Sequence, residues 1–163
     1  MFEAQSSLVL HDEEFNSIAS VIEKLLQESN SKAIFLVDKD GQLISSAGDT
    51  GDLDTTSLAS LTAGNIAATG GLAKLIGEKE FSILFHEGEK DNLHLSLIAS
   101  RVILVVIFDH RSSLGLVRLR VKKWGEELER IFCSLEKKAR QNSDSPKSFF
   151  AEITDEDIDN LFQ

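Results

Sequence analysis

Apolar and polar positions alternate along the chain with two different periods. Phe15, Ile18, Ile22, Leu25 and Leu26 recur at helical spacing behind a capping Asp12, with Glu13 and Glu14 in the first turn, where the helix dipole favours acids. Ser29 to Ser31 end that helix. A hairpin follows: Ala33 to Val37 as a strand, Asp38-Lys39-Asp40-Gly41 as the turn, and Gln42 to Ala47 as the return strand. A polar loop from Ser46 to Asp54 leads into a second helical stretch, Leu53 to Gly77, with Asp54 as its cap. Phe81 to His86, Asn92 to Ile98 and Val102 to Phe108 then read as three strands with tight connections. Leu93, Leu95 and Leu97 alternate with Asn92, His94 and Ser96, which predicts one buried face. VILVVIF is apolar throughout and predicts a central strand covered on both sides. A long helix from about Ser112 to Arg140 carries the stripe Leu114, Val117, Val121, Trp124, Leu128, Ile131 or Phe132, and Leu135. The order α-β-β-α-β-β-β-α predicts an antiparallel α/β sandwich in which neighbouring strands pair.

The Leu53 to Gly77 helix organises the rest. Wound at about 100° per residue, it gathers Leu58, Leu61, Ala68, Leu72, Leu75 and Ile76 on one side, with Asn65 and Thr69 among them, and predicts a core stripe there. The opposite side collects Ser60, Ala63, Gly64, Ala67, Gly70, Gly71 and Lys74 and has almost no side-chain bulk. Each glycine inside a helix costs about 1 kcal/mol relative to Ala. Close approach of another surface is a physical reason to strip a helix face bare. The face is either a docking surface for a second copy or a partner, or is buried in the chain's own core, or marks a break at Gly70-Gly71.

Length and charge narrow the class. The 163 residues accommodate one domain, 12–140, preceded by an arm over 1–11. Leu8, Val9 and Leu10 offer the arm a short edge strand. A linker over 141–149, QNSDSPKSF, holds the single proline, and an acidic amphipathic segment occupies 150–163. A net charge of −10 argues against a nucleic-acid backbone or an anionic membrane as the main partner. No apolar run is long enough to span a bilayer, and the start lacks the pattern of a secretory signal. One cysteine, Cys133 on or near the last helix's apolar stripe, excludes a disulfide framework and points to the reducing cytosol.

Candidate chemistry is thin. Asp49-Thr50-Gly51 spells the triplet of aspartic proteases, but one copy cannot make the required pair of facing carboxylates. Asp49, Asp52 and Asp54 lack the downstream bidentate Glu of a calcium loop. Gly70-Gly71-Leu72-Ala73-Lys74 lacks the spacing of a phosphate-binding loop. The four histidines stand at no ligand spacing, although His86 and His94 could meet across a hairpin. No catalytic residue, metal site or cofactor is therefore predicted, and the chain reads as a binding module. Two features remain beside the bare helix face. Phe149, Phe150, Ile153, Ile158, Leu161 and Phe162, set among Glu152, Asp155, Glu156, Asp157 and Asp159, suit a segment that folds on a partner, or an acidic solubility tail. Arg118, Arg120, Lys122 and Lys123 form either the solvated face of the last helix or a groove for an acidic segment.

The stretches FLVDKDGQLISSAG (35–48), DTTSLASLTAGNIAATGGLAKLIGE (54–78), VILVVIFDHRSSLGLVRLR (102–120) and FAEITDEDIDNLF (150–162) resemble the Roadblock/LC7 family, and within it a bacterial polarity-regulator branch. The resemblance covers nearly the whole chain from residue 12. It implies a five-stranded sheet with the central helix on one face and the terminal helices on the other. It implies a homodimer, the strand after the central helix pairing with its twin and the two central helices lying side by side. The partner it implies is a Ras-like small GTPase in its GTP state. That GTPase docks on a platform of Ser60, Gly64, Ala67, Gly71 and Lys74 and is stimulated to hydrolyse GTP. Ile153, Ile158, Leu161 and Phe162 would contact the GTPase away from the nucleotide, in a role linked to exchange. The implied setting is polarity and surface motility, in the cytoplasm and at a cell pole. The implied platform has no arginine, which points to stimulation by shifting the GTPase's own residues. Alternatives of other classes are a non-catalytic Roadblock scaffold and an enzyme with an unrecognised site.

Overall fold

The computed structural model describes residues 12–151, with side chains as far as 141. Three helices and five strands follow the expected order: α1 (Asp12–Ser29), β1 (Ala33–Asp38), β2 (Leu43–Gly48), α2 (Thr55–Leu75), β3 (Ile83–His86), β4 (Asn92–Ile98), β5 (Val102–Phe108) and α3 (Leu114–Ala151). The strands form one antiparallel sheet in the order β2-β1-β5-β4-β3. β5 lies at its centre with every residue buried, as an unbroken apolar run requires.

Alternation on the strands divides the core in two. Ile34 and Leu36 of β1 and Leu104 and Val106 of β5 point to one face, where Ile18, Ile22 and Leu25 of α1 and Val117, Leu128 and Phe132 of α3 cover them. Phe35 and Val37 of β1, Leu95 of β4 and Ile103 and Val105 of β5 point to the other, beneath Ala59 of α2. The terminal helices thus share one face, and α2 has the other to itself.

A polar clasp joins α1 to α3. The Trp124 Nε1 donates to Glu28 Oε2 at 3.1 Å, while Lys123 and Arg120 reach Glu28 Oε1 at 3.1 and 3.4 Å. Lys138 meets Glu14 at 2.9 Å further along.

Four sequence expectations change. Phe15 is 44% exposed, because the α1 side that meets the sheet is centred on Ile18, Val21, Ile22 and Leu25. Phe132 takes the buried place on α3, and Cys133, one residue on, faces solvent instead of the stripe. Helix α3 continues to Ala151, past Arg140 and over the stretch read as a linker; polar composition alone does not end a helix. In β4, His94 and Ser96 are buried along with Leu95, because α3 covers the side that alternation assigned to water. The arm 1–11, with Leu8 to Leu10, and the segment 152–163 lie outside the described residues.

Candidate docking surface on the central helix

Helix α2 starts where its side-chain chemistry dictates. Asp54 accepts from the Ser57 backbone N–H at 3.1 Å and from the Ser57 hydroxyl at 2.7 Å, satisfying an end donor that the helix itself cannot. Those two bonds hold the Asp54 carboxyl below its ordinary pKa. The helix then runs unbroken to Leu75, so Gly70-Gly71 is not a hinge. Packing on the sheet compensates for glycine's poor helix propensity.

The side that packs differs from the predicted stripe. Ala59, Thr62 and Ala73 are buried, and Leu58, Ala63 and Ile66 press partly against the sheet. Of the predicted core stripe, Leu61, Leu72, Leu75 and Ile76 instead lie 73, 54, 84 and 64% exposed. The reason is steric: β1, β4 and β5 already fill this face with Phe35, Leu95, Val105 and Ile107, and a helix fits closely over them through alanine and threonine. Half of the expectation for this helix is therefore inverted. Leu61, Leu72 and Leu75 face out, Leu58 and Ile66 are partly covered, and the fully buried residues are small.

The bare face is a surface. Ser60, Gly64, Ala67, Gly71 and Lys74 are all exposed, whereas Ala63 and Gly70 turn partly inward. A Cβ placed on Gly64 or Gly71 would meet nothing within 4 Å. Nothing within the described chain requires glycine at either position. The five residues form a shallow strip beside the exposed apolar flank, so α2 presents small and large apolar surface side by side without an acidic residue.

Strand β3 extends this flank to the sheet edge. It has β4 on one side and no strand on the other among the described residues. His86 points to the α2 face, where its Nε2 lies 3.0 Å from Asn65 Nδ2. His94 pairs in register with Phe85 and with Val106 and points to the α3 face, so the two histidines lie on opposite sides of the sheet and do not meet. Ile83 and Phe85 remain 47 and 38% exposed on the α3 face.

Two arginines outside the strip are each held by a carboxylate of their own chain. Arg101 pairs with Glu136 at 3.3 Å. Arg111 forks onto Asp109, with Nη2 to Oδ2 at 3.0 Å, and its hydrogen bonds pull the Asp109 pKa down to about 2. Neither belongs to α2. Ile153, Ile158, Leu161 and Phe162 lie outside the described residues. The sequence reading missed the outward flank of α2. A signal was present, since four large apolar residues recur on a helix that has only one charged side chain, Lys74.

The family model of the Roadblock/LC7 domain matches residues 18–108. Among solved structures, Myxococcus xanthus MglB is 64% identical over 78% of this chain and 96% of its own, with a TM-score of 0.75. The gliding protein MglB from Thermus thermophilus is 34% identical over 77 and 95%, with a TM-score of 0.72. An MglB with a tetrameric arrangement is 33% identical over 79 and 97%, with a TM-score of 0.74. Among curated protein sequences none matches significantly. With one domain model spanning both core layers and three structural relatives above 30% identity over nearly their whole length, the chain belongs to the Roadblock/LC7 family.

Proposed function

We propose that this chain is a GTPase-activating protein for a Ras-like bacterial GTPase of the MglA type. It acts in the cytoplasm and at a cell pole, in polarity and gliding motility. The observation that carries the reading is the strip Ser60, Gly64, Ala67, Gly71 and Lys74: exposed, stripped of bulk, and on a chain 64% identical to Myxococcus xanthus MglB. Two copies associate through the outward apolar flank of α2 and the open edge of β3, which brings the two strips into one platform. The GTPase docks there in its GTP state. No arginine enters its site from this platform, so stimulation comes from binding better to the arrangement in which the GTPase's own residues face the nucleotide. Ile153, Ile158, Leu161 and Phe162 contact the same GTPase elsewhere and assist exchange. The chain itself carries no catalytic residue, cofactor or metal in this reading.

The test is GTP turnover by the cognate Ras-like GTPase with and without this protein. Acceleration lost in Gly71→Arg supports the proposal. The absence of any arginine from the α2 strip favours one other reading, a scaffold that docks the GTPase passively. GTP-dependent binding with unchanged turnover would establish that reading instead.

A further inference from the structure

The face of the sheet opposite α2 carries a groove of about 570 Å³ between α3 and the β3-β4 side of the sheet, the size of a small-molecule site. His94 and Ser96, two residues apart on one face of β4, form its floor. His94 has no exposed surface and Ser96 only 5%. Neither nitrogen of the His94 ring has a hydrogen-bond partner, and nor does the Ser96 hydroxyl. Buried polar atoms are nearly always paired, so orphans gathered on one floor mark a place where a partner comes from outside.

The wall above that floor is cationic. Arg118 and Lys122 stand one turn apart on the groove side of α3, both exposed, and form no ion pair among the described residues. Arg120 and Lys123 of the same stretch turn to α1 instead and are neutralised by Glu28. Burial, and then the charge of Arg118, keep the His94 ring neutral. One of its nitrogens therefore carries a proton to donate. One and two turns beyond Lys122, Glu126 and Glu129 line the same groove and repel an anion from that end. Ile83, Ile98 and Val121 make an apolar lining between.

We propose that this groove binds a small organic phosphate, its phosphoryl group seated among Arg118, Lys122, His94 and Ser96 and its apolar body on Ile83, Ile98 and Val121. Four donors at one end, two of them cationic, suit a dianion with three terminal oxygens better than a carboxylate with two oxygens and one charge. The exposed side chains of Arg118 and Lys122 change rotamer readily. They lift as the phosphoryl group reaches the floor and close over it afterwards. The floor belongs to β4, one strand in from the β3 edge, and faces away from the α2 strip. Pairing of two copies through β3 leaves it in place, and its occupancy is read separately from GTP turnover.

The test titrates the isotopically labelled full-length chain with phenyl phosphate and, separately, with inorganic phosphate. The amide signals of His94 and Ser96 and the His94 ring nitrogens should shift saturably with the ester. Inorganic phosphate, which lacks the apolar body, should bind about five-fold more weakly. Arg118→Gln with Lys122→Gln, a change at two exposed positions that leaves the fold intact by circular dichroism, should weaken binding more than about ten-fold. Ser96→Ala should weaken it about five-fold. Arg120→Gln with Lys123→Gln removes the same charge from the α1 side and should leave the affinity unchanged. No saturable shift would mean that water alone fills the floor, and the proposal would be overturned. Equal losses from the two pairs of substitutions would reduce it to general charge attraction. Shifts centred on Ser60 to Lys74, or an ester that binds no better than inorganic phosphate, would overturn it as well.

Discussion

Gly41, in the β1-β2 turn, leans on Ser60 of α2: a Cβ at Gly41 would stand 3.4 Å from the Ser60 Cα and 3.7 Å from the Ala63 Cβ. The turn thereby props the N-terminal half of the helix whose outer strip is the candidate platform. Gly41 also has φ +92°, a backbone conformation that disfavours L side chains. Gly41→Ala should therefore destabilise the fold by about 1–2 kcal/mol, read as a lower urea midpoint with an unchanged slope. A midpoint equal to the parent's would mean that the turn relaxes freely and does not brace α2.

Gly71 gives the opposite expectation. Its Cβ would enter open space in the middle of a helix. Replacing it with Arg should raise stability by about 0.5–1 kcal/mol through helix propensity, while abolishing stimulation of the GTPase. Stability and function would then move in opposite directions at one residue. If turnover stayed stimulated, the strip would not be the platform.

Leu72 and Leu75 are 54 and 84% exposed on the flank proposed to join two copies. Burying a leucine is worth about 1.5–3 kcal/mol. Leu72→Glu with Leu75→Glu should thus weaken self-association more than about 100-fold and leave the helical circular dichroism intact. Sedimentation velocity across a concentration series measures it. A dimer that survives both charges would place the interface elsewhere.

His94 makes stability depend on pH in a stated direction. Burial first, and the charge of Arg118 second, hold its pKa below the ordinary histidine value, so the folded chain keeps the ring neutral. The unfolded chain takes up a proton near pH 6.5. Below that pH the unfolded state binds more protons, and stability falls as the solution is acidified. His94→Leu removes this titration and an unpartnered buried polar ring, so it should flatten the loss between about pH 7 and 5. Urea midpoints at several pH values compare the slopes. Equal slopes in parent and variant would assign the acid sensitivity to other groups.

Much of the fold was legible without coordinates, because its signals are local. Asp54 caps α2 through its own side chain, the apolar run of β5 announces a strand covered twice, and the tight connections pair neighbouring strands. The exposed strip of α2 was legible too, since stripping a helix of bulk has few physical reasons.

What the chain's pattern could not specify is what lies opposite each helix face. Periodicity groups Leu61, Leu72 and Leu75 on one side of α2, but only the sheet beneath decides which side is buried. Phe35, Leu95 and Val105 fill that space and leave Ala59 and Thr62 as the buried contacts, with Leu58 and Ile66 only partly covered. The same holds for His94 and Ser96, polar residues that read as solvent-facing until α3 is laid over them, and for the α3 cations, of which Arg120 and Lys123 face Glu28 of α1 while Arg118 and Lys122 lie on the β4 side. Spacing along a chain fixes angles around an axis. Volume and charge across the gap, supplied by residues distant in sequence, determine which of those angles face the core, a neighbour or a partner.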